Sequence, residues 1–560
     1  MKRKQTYIFL FLIFLLGFFL RFYRLNLNLP ELYIDETTGQ YLMRLSVLHP
    51  NLSPNSIIQI YLYNLLSFTT ILGLNPLGAR SAAAFFSSLI PLAIFLFFTQ
   101  VKHKSNLSIA LIGAFLTAIL PWSFLIGRIS HVHIPIIVSL TCFSCFYFLS
   151  AKKLRHYLYS LFFLGLAAFY YPTIILIAPF ISLLILYFAS QALNQKQRQQ
   201  LPFIILGLGV VILCIFFFKY QGFNLNSRGV DLAIWRDPNT IHDTNQSRGL
   251  SWLSQPGLFT LFTNPKQISP LAYNKVTANL TIFTHNYLSF FSPDWLFLRG
   301  DAILRHSTGQ VGYFFPVLIP FLLYGIFRFF TTADQKTTWL FLTWIITTPL
   351  VAAMTKDGAG YLLRAITMLP FFTYFISLGL VDSLNFIKTK ILKLLYCSIF
   401  SLLIIYSTFY FFFGYFHVYP YQTSTARAYE YGFKELSDFQ IQNNNAKLLI
   451  IWDGYYPFGH FLFWQNIPPL EYTQYQFEDI VIGESHFYHP SPKLFFAKPY
   501  KTQDLQQFVQ QYQPQYLILP DRYYVNYPSD LPDKSNLPVK VINYPNGKTN
   551  FLIYSLSSND

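Results

Sequence analysis

Long apolar runs separated by short polar segments make up most of the chain up to residue 416. A run of about 18 residues or more is long enough to cross a bilayer as a helix. These runs predict about eleven membrane spans, at roughly 6–22, 81–100, 107–126, 133–150, 157–171, 173–191, 201–219, 311–330, 338–354, 365–382 and 394–416. The predicted fold class is therefore an α-helical polytopic membrane protein.

The pattern changes after residue 417, where amphipathic and shorter apolar segments replace the long runs. They predict a helix, two buried strands and a hairpin, at 425–442, 446–453, 515–520 and 539–556. Asn546-Gly547 supplies the positive φ angles that a tight hairpin turn needs. Mixed helix and strand over this length predicts a small α/β domain at 417–560, which follows a membrane domain at 1–416.

Composition and charge agree with a membrane protein. Of the 560 residues, 53% are hydrophobic and 11% are charged, whereas a soluble domain carries about 25% charge. The net charge of +16 comes mainly from Lys and Arg in short segments between alternate spans, which the positive-inside rule assigns to the cytoplasm. This placement argues against nucleic acid as a partner. It predicts a plasma-membrane protein with a cytoplasmic N-terminus and an extracytoplasmic C-terminal domain.

Charged residues gather on the predicted outer side, in long loops at about 25–80 and 220–310 and in two short segments. The first group is Asp35-Glu36 with Arg21, Arg24 and His49. The acidic pair follows the first span, and carboxylates that persist beside a bilayer usually have a functional role. The other groups are Arg128 with His131 and His133; Asp294, Arg299, Asp301, Arg305 and His306; and Lys356, Asp357 and Arg364. Taken one at a time, these residues also have interpretations without a catalytic role. Asp35 and Glu36 could simply start a helix, since acids favour its first turn, and Arg128 could reach lipid headgroups.

Acids and bases that converge beside lipid fit the transfer of a sugar from a lipid-linked phosphate. A carboxylate can take the proton of an acceptor hydroxyl or amine while that group attacks the anomeric carbon. Arg and His can neutralise the departing phosphate, on which negative charge grows. No GxxxxGK[ST] or usable GxGxxG motif is present. A nucleotide-hydrolysing site is therefore not predicted. No nucleotide is available outside the cytoplasm, so an activated sugar there has to arrive on a lipid.

Five segments occur in an order that resembles the GT-C membrane glycosyltransferases. The resemblance is to the protein O-mannosyltransferase-like branch, which also holds the lipid A aminoarabinose transferases. The segments are RFYRLNLNLPELYIDE, PWSFLIGRIS, FYYPTIILIAP, FFSPDWLFLRGDAILRHSTGQVGYFFP and DGAGYLLRAITMLPFFTYFISLGL. In the tail, AYEYGFKELSDFQ and KLLIIWDGYYPFGHFLFW are similar to the extracytoplasmic tail of bacterial members.

The resemblance implies an inverting, mannosyltransferase-like enzyme that takes a hexose or pentose from a polyprenyl-phosphate donor. It identifies Asp35 as the general base, and Glu36 as a residue that positions the acceptor or supports the base. The donor phosphate would contact Arg128 and Arg364. Together with the charged groups on the predicted outer side, the resemblance also suggests that Arg305 and His306 contact the donor phosphate. It further suggests that Tyr170, Tyr171 and Asp301 contact the substrate.

Two features of the sequence depart from that family. Gly360-Tyr361 stands where many bacterial relatives have Pro-His before the arginine, and the loop at 220–310 lacks the repeat-domain insertion of the eukaryotic mannosyltransferases. No set of metal ligands is evident, so neither a metal nor another cofactor is predicted, although metal use varies across the superfamily. The expected partners are the lipid-linked donor, membrane lipid, and a lipid, glycan or protein acceptor. His460 and Asp453 in the tail are assigned a core or surface role.

Other functions remain open from the sequence alone. One is a transporter or flippase of lipid-linked sugars, a class that commonly shows internal repeats and charged helices at the membrane midplane. No internal repeat is evident, and the span interiors are nearly free of charge. Another is an envelope polysaccharide polymerase or ligase, in which an acidic pair after the first span is not expected. A non-catalytic assembly protein is a further alternative.

Overall fold

A computed structural model describes residues 3–49, 68–195, 197, 199, 202, 232–253, 264–452, 457–472, 475, 477–498, 501–521 and 537–556. The chain divides into two compact units. The first comprises Met1–Arg21 and Ala83–Phe412, and the second comprises Phe22–Ala82 and Phe413–Asp560. The segment after the first span therefore belongs to the same unit as the C-terminal domain.

Helices make up most of the described residues as far as Phe413. They are α1 (Arg3–Phe22), α2 (Ile34–Leu48), α3 (Thr69–Leu72), α4 (Pro76–Thr99), α5 (Asn106–Ile119), α6 (Pro121–Leu125), α7 (His133–Leu149), α8 (Leu154–Tyr170), α9 (Pro172–Ala192), α10 (Pro238–Trp252), α11 (Pro265–Ala272), α12 (Lys275–Ser289), α13 (Ile319–Thr332), α14 (Gln335–Ala353), α15 (Leu362–Ala365), α16 (Leu369–Phe386) and α17 (Lys390–Phe413). One turn of π-helix spans Asp294–Leu298. Of these elements, α2, α3 and the start of α4 lie in the second unit.

The chain is a multi-pass membrane protein. Within the described residues, five helical segments are long and apolar enough to cross a bilayer: Lys4–Phe22, Pro76–Thr99, Pro172–Ala192, Leu362–Phe386 and Lys390–Tyr421. Asn106–Ile119, His133–Leu149 and Pro316–Thr332 are apolar but shorter. Apart from residue 202, the predicted span at 201–219 lies outside the described residues. The total of about eleven spans and the orientation of the termini therefore stay predictions.

Glycine allows two helices of the first unit to approach closely. A Cβ at Gly325 of α13 would overlap the Phe375 carbonyl oxygen of α16, and a Cβ at Gly379 would overlap the Phe321 carbonyl oxygen. Small residues at facing positions are the usual way in which membrane helices bring their backbones together. α16 is almost wholly buried as a result.

We expect Gly325→Ala to destabilise the membrane domain, because the added methyl group forces α13 and α16 apart. Overpacking of this kind costs about 1–3 kcal/mol, which is measurable as a lower thermal unfolding midpoint in detergent. Gly249→Ala in α10 is the matched control, because a Cβ there meets nothing within 4 Å. Equal midpoints for the two variants would contradict the close packing.

The second unit contains a mixed seven-stranded sheet, with strand order β2-β3-β4-β1-β5-β7-β6. Its strands are β1 (Leu448–Ile451), β2 (Glu478–Ile482), β3 (Ser485–Ser491), β4 (Leu494–Lys498), β5 (Tyr516–Pro520), β6 (Lys540–Asn543) and β7 (Thr549–Ser555). The central strand β1 pairs in parallel with β4 and β5, and the other pairings are antiparallel.

The α-helices after Val418 are α18 (Thr423–Ala428), α19 (Phe433–Gln442), α20 (Phe458–Trp464), α21 (Pro469–Tyr472) and α22 (Thr502–Tyr512). Of these, α19 and α20 pack on one face of the sheet and α22 packs on the other. Side chains alternate along β1, so that Leu448 and Ile450 pack with α19 and α20, whereas Leu449 and Ile451 pack with α22. Tyr41 of α2 joins the first of these clusters.

The predicted C-terminal sheet domain is confirmed. The strands predicted at 446–453 and 515–520 are β1 and β5, although Asp453 lies outside the described residues. The predicted hairpin is β6–β7. Gly547 has the expected positive φ of 83°, whereas Asn546 does not have a positive φ. The helix predicted at 425–442 is broken into α18 and α19, because Glu430 and Gly432 between them have positive φ angles.

Candidate active site

The acidic pair stands in the first turn of α2, which begins at Ile34 because Tyr33 is extended. Glu36 reaches back to accept from the Tyr33 N–H at 3.4 Å. Carboxylates at this position also interact favourably with the positive N-terminal end of the helix dipole. Asp35 is exposed, whereas Glu36 is fully buried. Adjacent carboxylates therefore have different surroundings.

Glu36 forms a bidentate ion pair with Arg80 in the first turns of α4. The Arg80 Nε donates to Glu36 Oε1 at 3.0 Å, and Nη2 donates to Oε2 at 2.7 Å. Both side chains are buried, and Nη2 also donates to the Glu31 carbonyl at 2.7 Å. Both Glu36 oxygens are thus held by a guanidinium fork. This geometry suits an anchor for α2, and it leaves Asp35 as the carboxylate that can meet a substrate.

Glu31 ties the segment before α2 to the C-terminal domain. Its carboxylate accepts from the backbone N–H groups of Gly432 and Lys434, each at 2.6 Å, at the start of α19. Burial raises the pKa of Glu31 to about 8, although those two backbone donors oppose the rise. A glutamate more than 400 residues away in sequence thus caps the first turn of α19.

We expect the second unit to lose stability as pH rises from about 4.5 to about 8, because folded Glu31 holds its proton more tightly than the unfolded chain does. Glu31→Gln should remove this pH dependence, since the side chain no longer titrates. Thermal unfolding midpoints of both proteins across that range provide the measurement. Parallel pH profiles for wild type and variant would show that Glu31 is not the group responsible.

In the first unit, Asp301 joins the loop after the π-helix to the start of α15. Its Oδ2 accepts from the Leu362 N–H at 2.9 Å and lies 3.0 Å from His306 Nδ1. Its Oδ1 accepts from the Ile303 N–H at 2.9 Å. Asp301 and His306 are both buried. These contacts favour a role in which Asp301 orients His306, and direct contact between Asp301 and a substrate stays a prediction.

His306 belongs to a cluster drawn from four separate segments. Its ring lies edge-on to Tyr361, with centroids 5.1 Å apart, and the Arg364 guanidinium lies 4.4 Å from the Tyr361 ring centroid. Tyr171 stacks on His133 with centroids 5.5 Å apart. Tyr171 also interacts electrostatically with Tyr361 and Arg364. The structure thus brings Tyr171, His306 and Arg364 together.

Other predicted site residues have different surroundings. Arg128 is buried, and its Nη1 donates to the Arg21 carbonyl at the end of α1, at 2.8 Å. Tyr170 ends α8 and packs against Phe169. Arg305 is half-buried in the loop beside His306. Contact of these three side chains with donor or acceptor stays a prediction.

The same region shows how the first span is anchored. The guanidinium of Arg21 is buried, and each of its N–H groups has an acceptor. The acceptors are the side chains of Ser87 and Ser123 and the carbonyls of Gly17, Thr117 and Ala118. Arg21 and Arg128 together therefore fix the end of α1 against α4, α5 and α6.

Sequence reasoning missed Arg80, and nothing in the linear pattern pairs it with Glu36. A charge in the otherwise uncharged segment PLGARSAAAFF is the signal that could have marked it. Among the described residues, no three His, Cys, Asp or Glu side chains converge in a way that could hold a metal ion. The expectation that none is required stays a prediction.

No family model matches the chain, and no curated protein matches it in sequence. Solved structures do resemble it. A crystal structure of the oligosaccharyltransferase of Archaeoglobus fulgidus, tethered to an acceptor peptide containing the NVT sequon, is 14% identical with a TM-score of 0.50. The match covers 98% of this chain and 74% of that one. At this identity the likeness concerns the fold.

Two further structures are similar at lower scores. Archaeal AglB from Archaeoglobus fulgidus, in complex with an inhibitory peptide and a dolichol-phosphate, is 14% identical, with coverage of 92% and 69% and a TM-score of 0.48. ArnT from Cupriavidus metallidurans, bound to undecaprenyl phosphate, is 9% identical, with coverage of 100% and 99% and a TM-score of 0.42.

Proposed function

We propose that this chain, which has the fold of the GT-C membrane glycosyltransferases, is an inverting glycosyltransferase that takes a sugar from a polyprenyl-phosphate-linked donor. The similarity to a solved structure of this fold confirms, for the fold, the GT-C resemblance that the sequence indicated. The observation that carries the proposal is the exposed Asp35, beside a buried Glu36 that Arg80 locks in place. An archaeal protein of this fold holds an acceptor peptide, which is consistent with transfer to an acceptor.

The proposed reaction is a single displacement at the anomeric carbon. The Asp35 carboxylate takes the proton of the acceptor hydroxyl or amine as that group attacks. A new glycosidic bond forms while the bond from the anomeric carbon to the phosphate oxygen breaks. Its electron pair leaves on the phosphate, polyprenyl phosphate departs, and the configuration of the sugar inverts. The acceptor is a lipid, a glycan or a protein outside the cytoplasm.

We assign the donor phosphate to the cluster of Tyr171, His306 and Arg364 in the first unit. Arg364 offers a guanidinium supported on the Tyr361 ring, and Arg side chains bind phosphate bidentately. His306 is oriented by Asp301 through Nδ1, which directs its other nitrogen, Nε2, away from that carboxylate. Both groups would stabilise negative charge as it grows on the phosphate. Tyr171 lines the same cluster and is assigned to the sugar or phosphate.

The proposal is tested by a donor screen. Purified protein in nanodiscs is offered a panel of polyprenyl-phosphate hexoses and pentoses with envelope extracts as acceptor, and released polyprenyl phosphate is detected by mass spectrometry. Release from at least one donor is the expected result. Release from none, together with movement of the intact lipid-linked sugar between leaflets, would replace the proposal with a flippase.

We expect Arg364→Ala to raise the KM for the donor about tenfold or more, because a hydrogen bond to a charged group contributes about 1.5–3 kcal/mol. Initial rates at varied donor concentration provide the measurement. Arg299→Ala is the matched control, since that guanidinium is 76% exposed and pairs with exposed Asp294. A donor KM equal to that of wild type in the Arg364 variant would remove Arg364 from the phosphate site.

A further inference from the structure

The C-terminal domain contacts the start of α2 through Glu430, a residue that the proposed reaction does not use. Glu430 lies between α18 and α19 and has a φ of +51°, a left-handed conformation that residues other than glycine adopt uncommonly. Such backbone conformations persist where the surrounding structure fixes them, and they cluster at functional sites. The turn aims the Glu430 side chain at the helix that carries Asp35.

One carboxylate oxygen of Glu430 makes two polar contacts. Its Oε2 accepts from the backbone N–H of Ile34 at 2.8 Å and lies 2.9 Å from His460 Nε2. Ile34 is the first residue of α2, and its N–H is one of the donors that a helix leaves without an internal partner. A carboxylate at this end of a helix also interacts favourably with the helix dipole.

His460 makes a second contact with the same turn. Its side chain is fully buried, and its ring stacks on Phe433 with centroids 4.7 Å apart and planes within 5°. Its Nδ1 lies 3.5 Å from Thr37 Oγ1. The ring therefore stands between Glu430 and α2, in an orientation that stacking and two polar contacts fix.

Gly459 shows that α20 leaves no space beside this turn. A Cβ at Gly459 would overlap the Thr38 side chain and would lie 3.0 Å from Ile34 Cδ1. Ile34, Thr37 and Thr38 are thus all held by the C-terminal domain, and they lie on both sides of Asp35 in the sequence. The first turn of a helix otherwise frays readily.

We propose that Glu430 and His460 are positioning residues for Asp35. This inference rests on the proposed function, because it takes Asp35 to be the general base. A base acts well only when it is held close to its productive geometry. The C-terminal domain is therefore part of the catalytic apparatus through α2, and not only a cover for the outer face or a binding module for the acceptor.

The test begins with Glu430→Ala and the donor that the screen identifies. We expect kcat to fall about 100-fold, the loss that a displacement near 1 Å produces, with the donor KM unchanged because Glu430 acts only on the base. Glu430→Gln keeps an acceptor oxygen at the same length and should retain most of the rate. Asp438→Asn, at an exposed ion pair with Lys434 in α19, is the matched control and should leave kcat at the wild-type value.

Two further measurements separate positioning from general stability. Hydrogen exchange of the amides in α2 should be faster in Glu430→Ala than in Asp438→Asn. In an Asp35→Asn background, Glu430→Ala should cause no further loss of rate, because the base that it positions is already absent. Where Glu430→Ala does not fold, His460→Gln takes its place with the same expected results.

The outcomes distinguish the inference from the function on which it rests. Three results would each overturn the positioning role while Asp35 remains the base. They are a wild-type kcat in a folded Glu430→Ala protein, unchanged hydrogen exchange in α2, and a loss of rate from Glu430→Ala in the Asp35→Asn background that equals its loss in the wild-type background. Full activity of Asp35→Asn itself would overturn both.

Discussion

Asp35→Asn is expected to lower kcat by about 100- to 10,000-fold, the range that a positioned general base contributes, with little change in the donor KM. Asparagine has nearly the same shape as aspartate, but its side-chain amide cannot act as a base that takes a proton from the acceptor. The exposed position of Asp35 makes the substitution structurally mild. Rates of polyprenyl phosphate release at saturating donor, together with thermal unfolding midpoints, provide the measurement.

Asp479→Asn is the matched control for this prediction, because Asp479 is an exposed aspartate in β2 of the same unit. It should leave the rate unchanged. Asp35→Glu keeps the carboxylate but moves it by one methylene, so it should retain part of the activity. Wild-type kcat in a folded Asp35→Asn protein would remove Asp35 from the mechanism.

Arg80→Ala is expected to lower the free energy of unfolding by about 3–5 kcal/mol, the usual cost of leaving one member of a buried ion pair without its partner. Glu36 would then stand buried beside an empty space, and Glu31 would lose the donor to its carbonyl. Equilibrium unfolding in detergent, followed by intrinsic fluorescence, measures the loss.

A double variant isolates the cause of that loss. Replacing both members, as Glu36→Leu with Arg80→Leu, removes the unpaired charge and should recover most of the stability. Lys434→Ala breaks an exposed ion pair with Asp438 and should cost at most about 1 kcal/mol. If Arg80→Ala cost no more than Lys434→Ala, the buried pair would not be the anchor of α2.

The helices of the membrane domain were predictable because apolar length is a local property of the sequence. Helices occur at the predicted spans that the structure describes, and the central strand β1 followed from the unbroken apolar run LLIIW. β2, β3 and β4 were not predicted. β2 is an edge strand that exposes polar residues such as Glu478 and Asp479, and β3 carries His486 and His489 among its apolar residues. β4 is apolar and mostly buried, a signal that could have identified it. α22 carries the helical spacing Leu505, Phe508, Val509 and Tyr512, a signal that could have identified it.

The sequence drew attention to Asp35-Glu36 by its place after an apolar run. The helix-start interpretation is confirmed, because both residues lie in the first turn of α2, whereas the catalytic role stays a prediction. The contacts that fix the pair could not be derived from spacing, since Arg80 lies 44 positions from Glu36 and Glu430 lies 396 from Ile34. His460, assigned only a core or surface role from sequence, is a buried contact of Glu430.

Analysis of the products of one turnover tests the central claim most directly. Purified protein in nanodiscs is mixed with the active polyprenyl-phosphate sugar and acceptor, and both products are quantified by mass spectrometry and NMR. The account predicts equal amounts of polyprenyl phosphate and glycosylated acceptor, with the anomeric configuration inverted. Retention of configuration, or release of polyprenyl phosphate without sugar on an acceptor, would contradict it.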